Sequence, residues 1–169
     1  MALLKLIYGL DPIFRKKAED VKNIDQDIKD LAQNMFETMK HENAIGCAGN
    51  MFGILKRIIV INLDGSEQKY FMINPKIVKK SMETSVEIEG AICFPGINVE
   101  VERYSSIIVE YINEVGEEKK IDANGVFARV IQHEIDYLDG IIHLDYVSKL
   151  KQELLIKKMG KYMKRNGIR

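Results

Sequence analysis

Two adjacent side chains, His133 and Glu134, open an H-E-x-x-H pattern whose fifth position is filled by Tyr137. In the complete pattern, two histidines four residues apart share one helical face and bind zinc, and the glutamate serves as general base. The same spacing puts His133 and Tyr137 side by side on a helix. Phe127, Val130, Ile131, Ile135 and Leu138 cover much of the remaining circumference, which suits a helix buried on several sides. Taken alone, the stretch reads as a core helix with a hydrogen-bonded histidine and tyrosine. Cys47, Cys93 and His143 are the other side chains with metal-ligating or nucleophilic atoms near these motifs. The ordinary reading is buried packing for the cysteines and a local partner for the histidine.

The elements that must position these groups can be read from periodicity. Ile28, Leu31, Ala32, Met35, Phe36 and Met39 recur at steps of three and four and predict a helix over 26–41, with Asp25 as its N-cap. The middle of the chain alternates and is rich in β-branched residues. It predicts strands at 57–62, 69–78, 85–92, 97–104 and 106–113. Residues 113–118, "NEVGEE", form a hairpin turn into a strand through "KKIDA". Asn124 is placed to cap a helix over Gly125–Leu138 that Gly140 ends. "IIHLDY" (141–146) reads as a short strand. A closing helix runs from Ser148 to Lys164, with Leu150, Leu154, Ile156 and Met159 on its apolar side and Asn166-Gly167 as its stop. Strands followed by helices, without a βαβ rhythm, give an α+β class.

The 169 residues suit a single domain, 1–169, with a real core. Acids and bases balance at 25 each, but unevenly along the chain. Ser148–Arg169 carries eight bases against Glu153 alone, a local charge of +7, and residues 1–147 carry −7. The tail is thus a basic C-terminal helix, suited to a polyanion or to a solvated surface. Two cysteines are too few for a disulfide framework. The apolar start is interrupted by Lys5 and runs into Asp11 and Pro12, so neither a signal peptide nor a membrane span is expected. A bacterial cytoplasm is the expected compartment.

Three stretches together, "AIGCAGNM" (44–51), "EGAIC" (89–93) and "HEIDY" (133–137), resemble the three signature motifs of the peptide deformylase family. Those motifs run roughly G-Φ-G-Φ-A-A-x-Q, E-G-C-L-S and H-E-x-D-H. The flanking "GLDPIFRKKAEDV", "ANGVFARVIQHE" and "LDGIIHLDYVSKLKQ" extend the resemblance over essentially the whole chain. It implies an α+β fold of antiparallel sheets around a central helix bearing His133 and Glu134, with a C-terminal helix outside. It also implies an activity, metal-dependent removal of formyl from N-terminal methionine. The pocket positions it marks are Ile45, Gly46, Met51, Glu89, Gly90 and Ile92, with an ion pair between Glu89 and Arg103.

The departures fall on the chemistry. The family's three metal ligands map to Ala91, His133 and Tyr137, and its oxyanion glutamine maps to Met51. Alanine has no donor atom. A phenol, with a reference pKa of about 10, is a poor substitute for imidazole. A catalytic zinc or iron needs about three protein ligands and an open position. Without a metal, no water is acidified from about 15.7 toward 7 for Glu134 to use. The resemblance therefore implies a non-catalytic homologue with no resident metal and Glu134 as a vestigial base. Such a protein would bind peptide N-termini, or the ribosome through its basic C-terminal helix, and would not engage a membrane. Its oligomeric state is left open.

The alternative is an active metallo-hydrolase of the same specificity, with iron, zinc or nickel in a relocated site. Cys93 would share a face with Ala91 if the stretch is a strand, but about 6.5 Å further along. Its recruitment would need a bulge or register slip. A structural relic without a ligand is the third reading. Glu134, buried without a metal, should have a raised pKa, and Tyr137 should hydrogen-bond into and fill the emptied volume.

Overall fold

The structure, a computed structural model, describes residues 3–63 and 68–168. Arg169, counted in the basic tail, lies outside them. After an extended start comes α1, Gln26–His41, capped by the Asp25 carboxylate, which accepts from the Ile28 N–H. Its stripe of Ile28, Ala32, Met35, Phe36 and Met39 is buried. The strands are β1 (Gly46–Ala48), β2 (Ile58–Ile61), β3 (Tyr70–Lys80), β4 (Thr84–Gly90), β5 (Asn98–Tyr104), β6 (Ser106–Ile112) and β7 (Glu118–Asn124). The helix α2 spans Gly125–Leu138 and α3 spans Lys149–Asn166.

Five strands form one antiparallel sheet in the order β1-β2-β3-β6-β7, and β4 pairs with β5 in a second sheet. β2 reads "IIVI" and is buried at every position because α1 and α2 both pack against it. A continuous apolar run is what a strand covered on both faces requires. β5 alternates instead. Val99, Val101 and Arg103 turn inward, and Asn98, Glu100 and Glu102 outward. α2 lies between the sheets, touching β1, β2, β6 and β7 on one side and β5 on the other. This is the α+β architecture expected from the motifs, antiparallel sheets around a central helix, with α3 outermost. No helix among the described residues is long and apolar enough to cross a membrane.

Four local expectations need correction. "IIHLDY" is not a strand: His143–Tyr146 forms a 3-10 turn. The Asp145 carboxylate accepts from the Ile142 N–H at 2.9 Å, and Arg15 grips the same carboxylate at 2.6 and 2.9 Å. This side-chain capping satisfies the backbone locally and competes with strand pairing. Asn124 stands at the N-cap position of α2 but makes no side-chain cap, because its amide turns back to Asp122. β4 ends at Gly90, so Ala91 and Ile92 lie in a turn closed by the Phe94 N–H on the Ala91 carbonyl at 3.0 Å. On α3, Met159 is buried, but Leu150 and Leu154 are 70% and 59% exposed.

Candidate functional site

The helical period and the strand alternation converge on one carboxylate. Arg129 and His133 are one turn apart on α2, and Glu89 is the single buried side chain of β4. Glu89 accepts from Arg129 at 2.8 Å, from Arg103 of β5 at 3.0 Å through each oxygen, and pairs with His133 Nδ1 at 2.8 Å. Burial opposes its ionised form, but the bonds from His133 and Arg103 bring its pKa down to about 2. Arg103 also reaches Asp136 and donates to the Tyr146 hydroxyl at 2.9 Å, and Tyr146 donates to Asp136 at 2.6 Å. Arg129 bonds the carbonyls of Val101 and Ser85 as well. Gln132 ties α2 to both backbone groups of Tyr104. The network fixes the rotation of α2 against the small sheet, and thereby aims His133 and Glu134.

They face a cleft of about 440 Å³ bounded by β4 and its following turn on one side and by β1 and its approach on the other. Ile45, Gly46, Met51, Glu89, Gly90, Ala91 and Ile92 all line it with His133 and Glu134. Glu134 is 3% exposed, and burial pushes its pKa up to about 7. Its Oε2 has no hydrogen-bond partner among the described residues. Gly46 is needed beside it: a Cβ there would meet Val130 Cγ1 at 2.7 Å and Glu134 Oε1 at 2.8 Å.

Tyr137 does not line the cleft. It is fully buried behind it, edge-on to Phe14 at 5.8 Å and against the His133 ring at 5.1 Å. Its hydroxyl receives the Cys93 thiol at 3.7 Å and pairs with His143 Nδ1 at 3.2 Å. Burial raises the phenol and thiol pKa values and lowers that of His143 to about 3, so all three are neutral. The His143 Nε2 is a second buried atom without a partner.

The metal that the motifs imply does not fit these residues. Ala91 offers no donor atom, the Tyr137 phenol is neutral and committed to Cys93 and His143, and the Met51 side chain has no N–H. Cys93 also sits in the turn beyond β4, behind Tyr137. Among the described residues no group of three or more His, Cys, Asp or Glu side chains is arranged to hold a metal ion. Cys47 is directed elsewhere, its thiol 3.8 Å from the Met35 carbonyl.

Sequence reasoning thus named nine residues that the fold gathers on the cleft and one, Arg103, that braces Glu89 from outside it. It missed Arg129, although an arginine one turn before His133 is the only Lys or Arg of α2. It also missed Tyr146 and the role of Asp136.

The chain matches the family described as Polypeptide deformylase over residues 3–153. It is 40% identical over 172 residues to the Peptide deformylase of Rhizobium meliloti (strain 1021), covering 100% of this chain and 99% of that protein. A protein of Rickettsia conorii (strain ATCC VR-613 / Malish 7) named Peptide deformylase-like is 40% identical over 162 residues, covering 95% of this chain and 88% of its own. The crystal structure of peptide deformylase from Ehrlichia chaffeensis in complex with actinonin superposes with a TM-score of 0.90 at 37% identity, covering 96% of this chain and 98% of that one.

Proposed function

The chain belongs to the polypeptide deformylase family, and from that premise we propose that its cleft binds peptide N-termini without removing formyl groups. The observation that carries this reading is the donor set. The cleft lining is kept, but positions 91, 137 and 51 supply neither the metal ligands nor the oxyanion donor. Binding has a ready geometry. Among the described residues β4 pairs with β5 alone and β1 with β2 alone, so each presents an unpaired edge beside the cleft. An extended peptide can hydrogen-bond to such an edge, with its side chain against Ile45, Ile92 and Val130. The basic α3 would bring the protein to nascent chains by docking on ribosomal RNA.

A second reading is deformylation with a metal held by an altered ligand set. It is favoured by the 40% identity over full length to relatives named Peptide deformylase and by the retained Glu134. One experiment separates the two. The protein is titrated with methionyl peptides, free and N-formylated, and formate is measured with zinc, iron or nickel added; actinonin serves as competitor. Saturable binding without formate is the expected result. Formate release with stoichiometric metal would establish the second reading.

A further inference from the structure

The polar groups at the deep end of the cleft are unbalanced in hydrogen-bonding type. Two guanidinium groups, Arg103 and Arg129, bind Glu89 and hold it as a carboxylate. His133 Nδ1 stands 2.8 Å from the same carboxylate, which can only accept. Nδ1 therefore donates to Glu89, which leaves Nε2 as the ring nitrogen available to a ligand. Glu134, the next residue and also on the cleft lining, has a buried Oε2 with no partner among the described residues. Met51 and Ala91 bring no side-chain donor to this end. The local charge points the same way: of the charged side chains that line the cleft, Glu87, Glu89 and Glu134 stand against Arg129, whose guanidinium is engaged in ion pairs.

We propose that this end of the cleft recognises the free α-ammonium group of an unblocked peptide N-terminus, with Glu134 and His133 Nε2 as its acceptors, and discriminates against the formylated terminus. An ammonium brings a positive charge and three donors to two acceptors inside an acidic cluster. A formamide brings one N–H and a carbonyl oxygen, and once Glu134 is ionised the side chains here offer that oxygen no free donor. Leaving it unpaired in a buried site opposes binding. Gly46 lets the Glu134 carboxylate pack directly against the β1 backbone, where any Cβ would collide with Oε1. The inference rests on the reading that the cleft takes peptide N-termini, and it names which chemical form of the terminus is held.

The test compares three methionyl tripeptides by calorimetry on the full chain: one with a free amine, one N-formylated, and one in which hydrogen replaces the amino group. The free-amine peptide should bind at least tenfold more tightly than either other. In Glu134→Gln, a near-isosteric change, the three should fall within about twofold. Equal affinities in the native protein, or tighter binding of the formylated peptide, would overturn the inference and leave the binding reading standing. A des-amino peptide as tight as the amine would also overturn it, because size rather than charge would then decide. Absence of binding by all three would overturn both.

Discussion

At the scale of single residues, Glu89 is the group on which the site depends. Its pKa is about 2 in the folded chain against an ordinary 4.5. The folded value is the depressed one, so its ionisation stabilises the fold at every pH above about 4.5, and that contribution is lost as pH falls toward 2. On the order of 3 kcal/mol is involved. Urea midpoints should therefore drop between pH 5 and pH 3, and Glu89→Gln should lack that part of the slope. At pH 7 the same variant leaves Arg103 and Arg129 buried beside an uncharged amide and should lose about 3–5 kcal/mol. A second expectation concerns metal. Ala91→Cys with Tyr137→His should create stoichiometric zinc binding that neither change gives alone, as metal analysis of the purified variants would show. Adding Met51→Gln should then raise any formate release by roughly 10²-fold, the typical worth of one oxyanion donor.

At the scale of elements, the end of α2 carries a sharper constraint than its apolar stripe. Gly140 has φ +78°, and a Cβ there would stand 2.9 Å from the Arg15 carbonyl oxygen. Gly140→Ala should cost about 1–3 kcal/mol and lower the melting temperature by roughly 3–8 °C. The helices were legible because their periods are strong: the stripe of α1 and the extent of α2 match the sequence reading almost residue for residue. The β6–β7 hairpin was legible from its turn chemistry. "IIHLDY" was not, because its apolar spacing suits a strand, and only Arg15, some 130 positions away, explains why Asp145 closes a turn instead. The cleft lining was legible through motif resemblance. The partners of Tyr137 were not, since Cys93 and His143 reach its hydroxyl through tertiary packing that no local pattern records. Arg129 gave a local signal, a lone cation in an apolar helix.

At the scale of the whole molecule, charge is segregated. The tail from Ser148 carries +7 on a body of −7, and Lys157, Lys158 and Lys161 are exposed on α3. Binding of ribosomes or other polyanions by this helix should follow counterion release and weaken steeply between about 50 and 200 mM salt. Sedimentation with ribosomes at the two salt concentrations measures this. Changing the three lysines to glutamate should abolish pelleting at low salt; unchanged pelleting would remove α3 from the interface. The exposed Leu150 and Leu154 lie on the same helix, so Leu150→Ala with Leu154→Ala should leave stability within about 0.5 kcal/mol, as for surface positions.

Tyr137, packed between Phe14 and the two histidine rings, has a consequence for the paths open to this chain by mutation. Tyr137→His taken first removes a buried ring and leaves a cavity, with no third ligand to make use of the new imidazole. Ala91→Cys taken first adds a sulfur that nothing coordinates. Tyr137→His alone weakens the fold and Ala91→Cys alone completes no ligand set, so only the pair together brings a return in chemistry. On the proposed reading, a lineage holding this tyrosine reaches a metal centre only through both changes together.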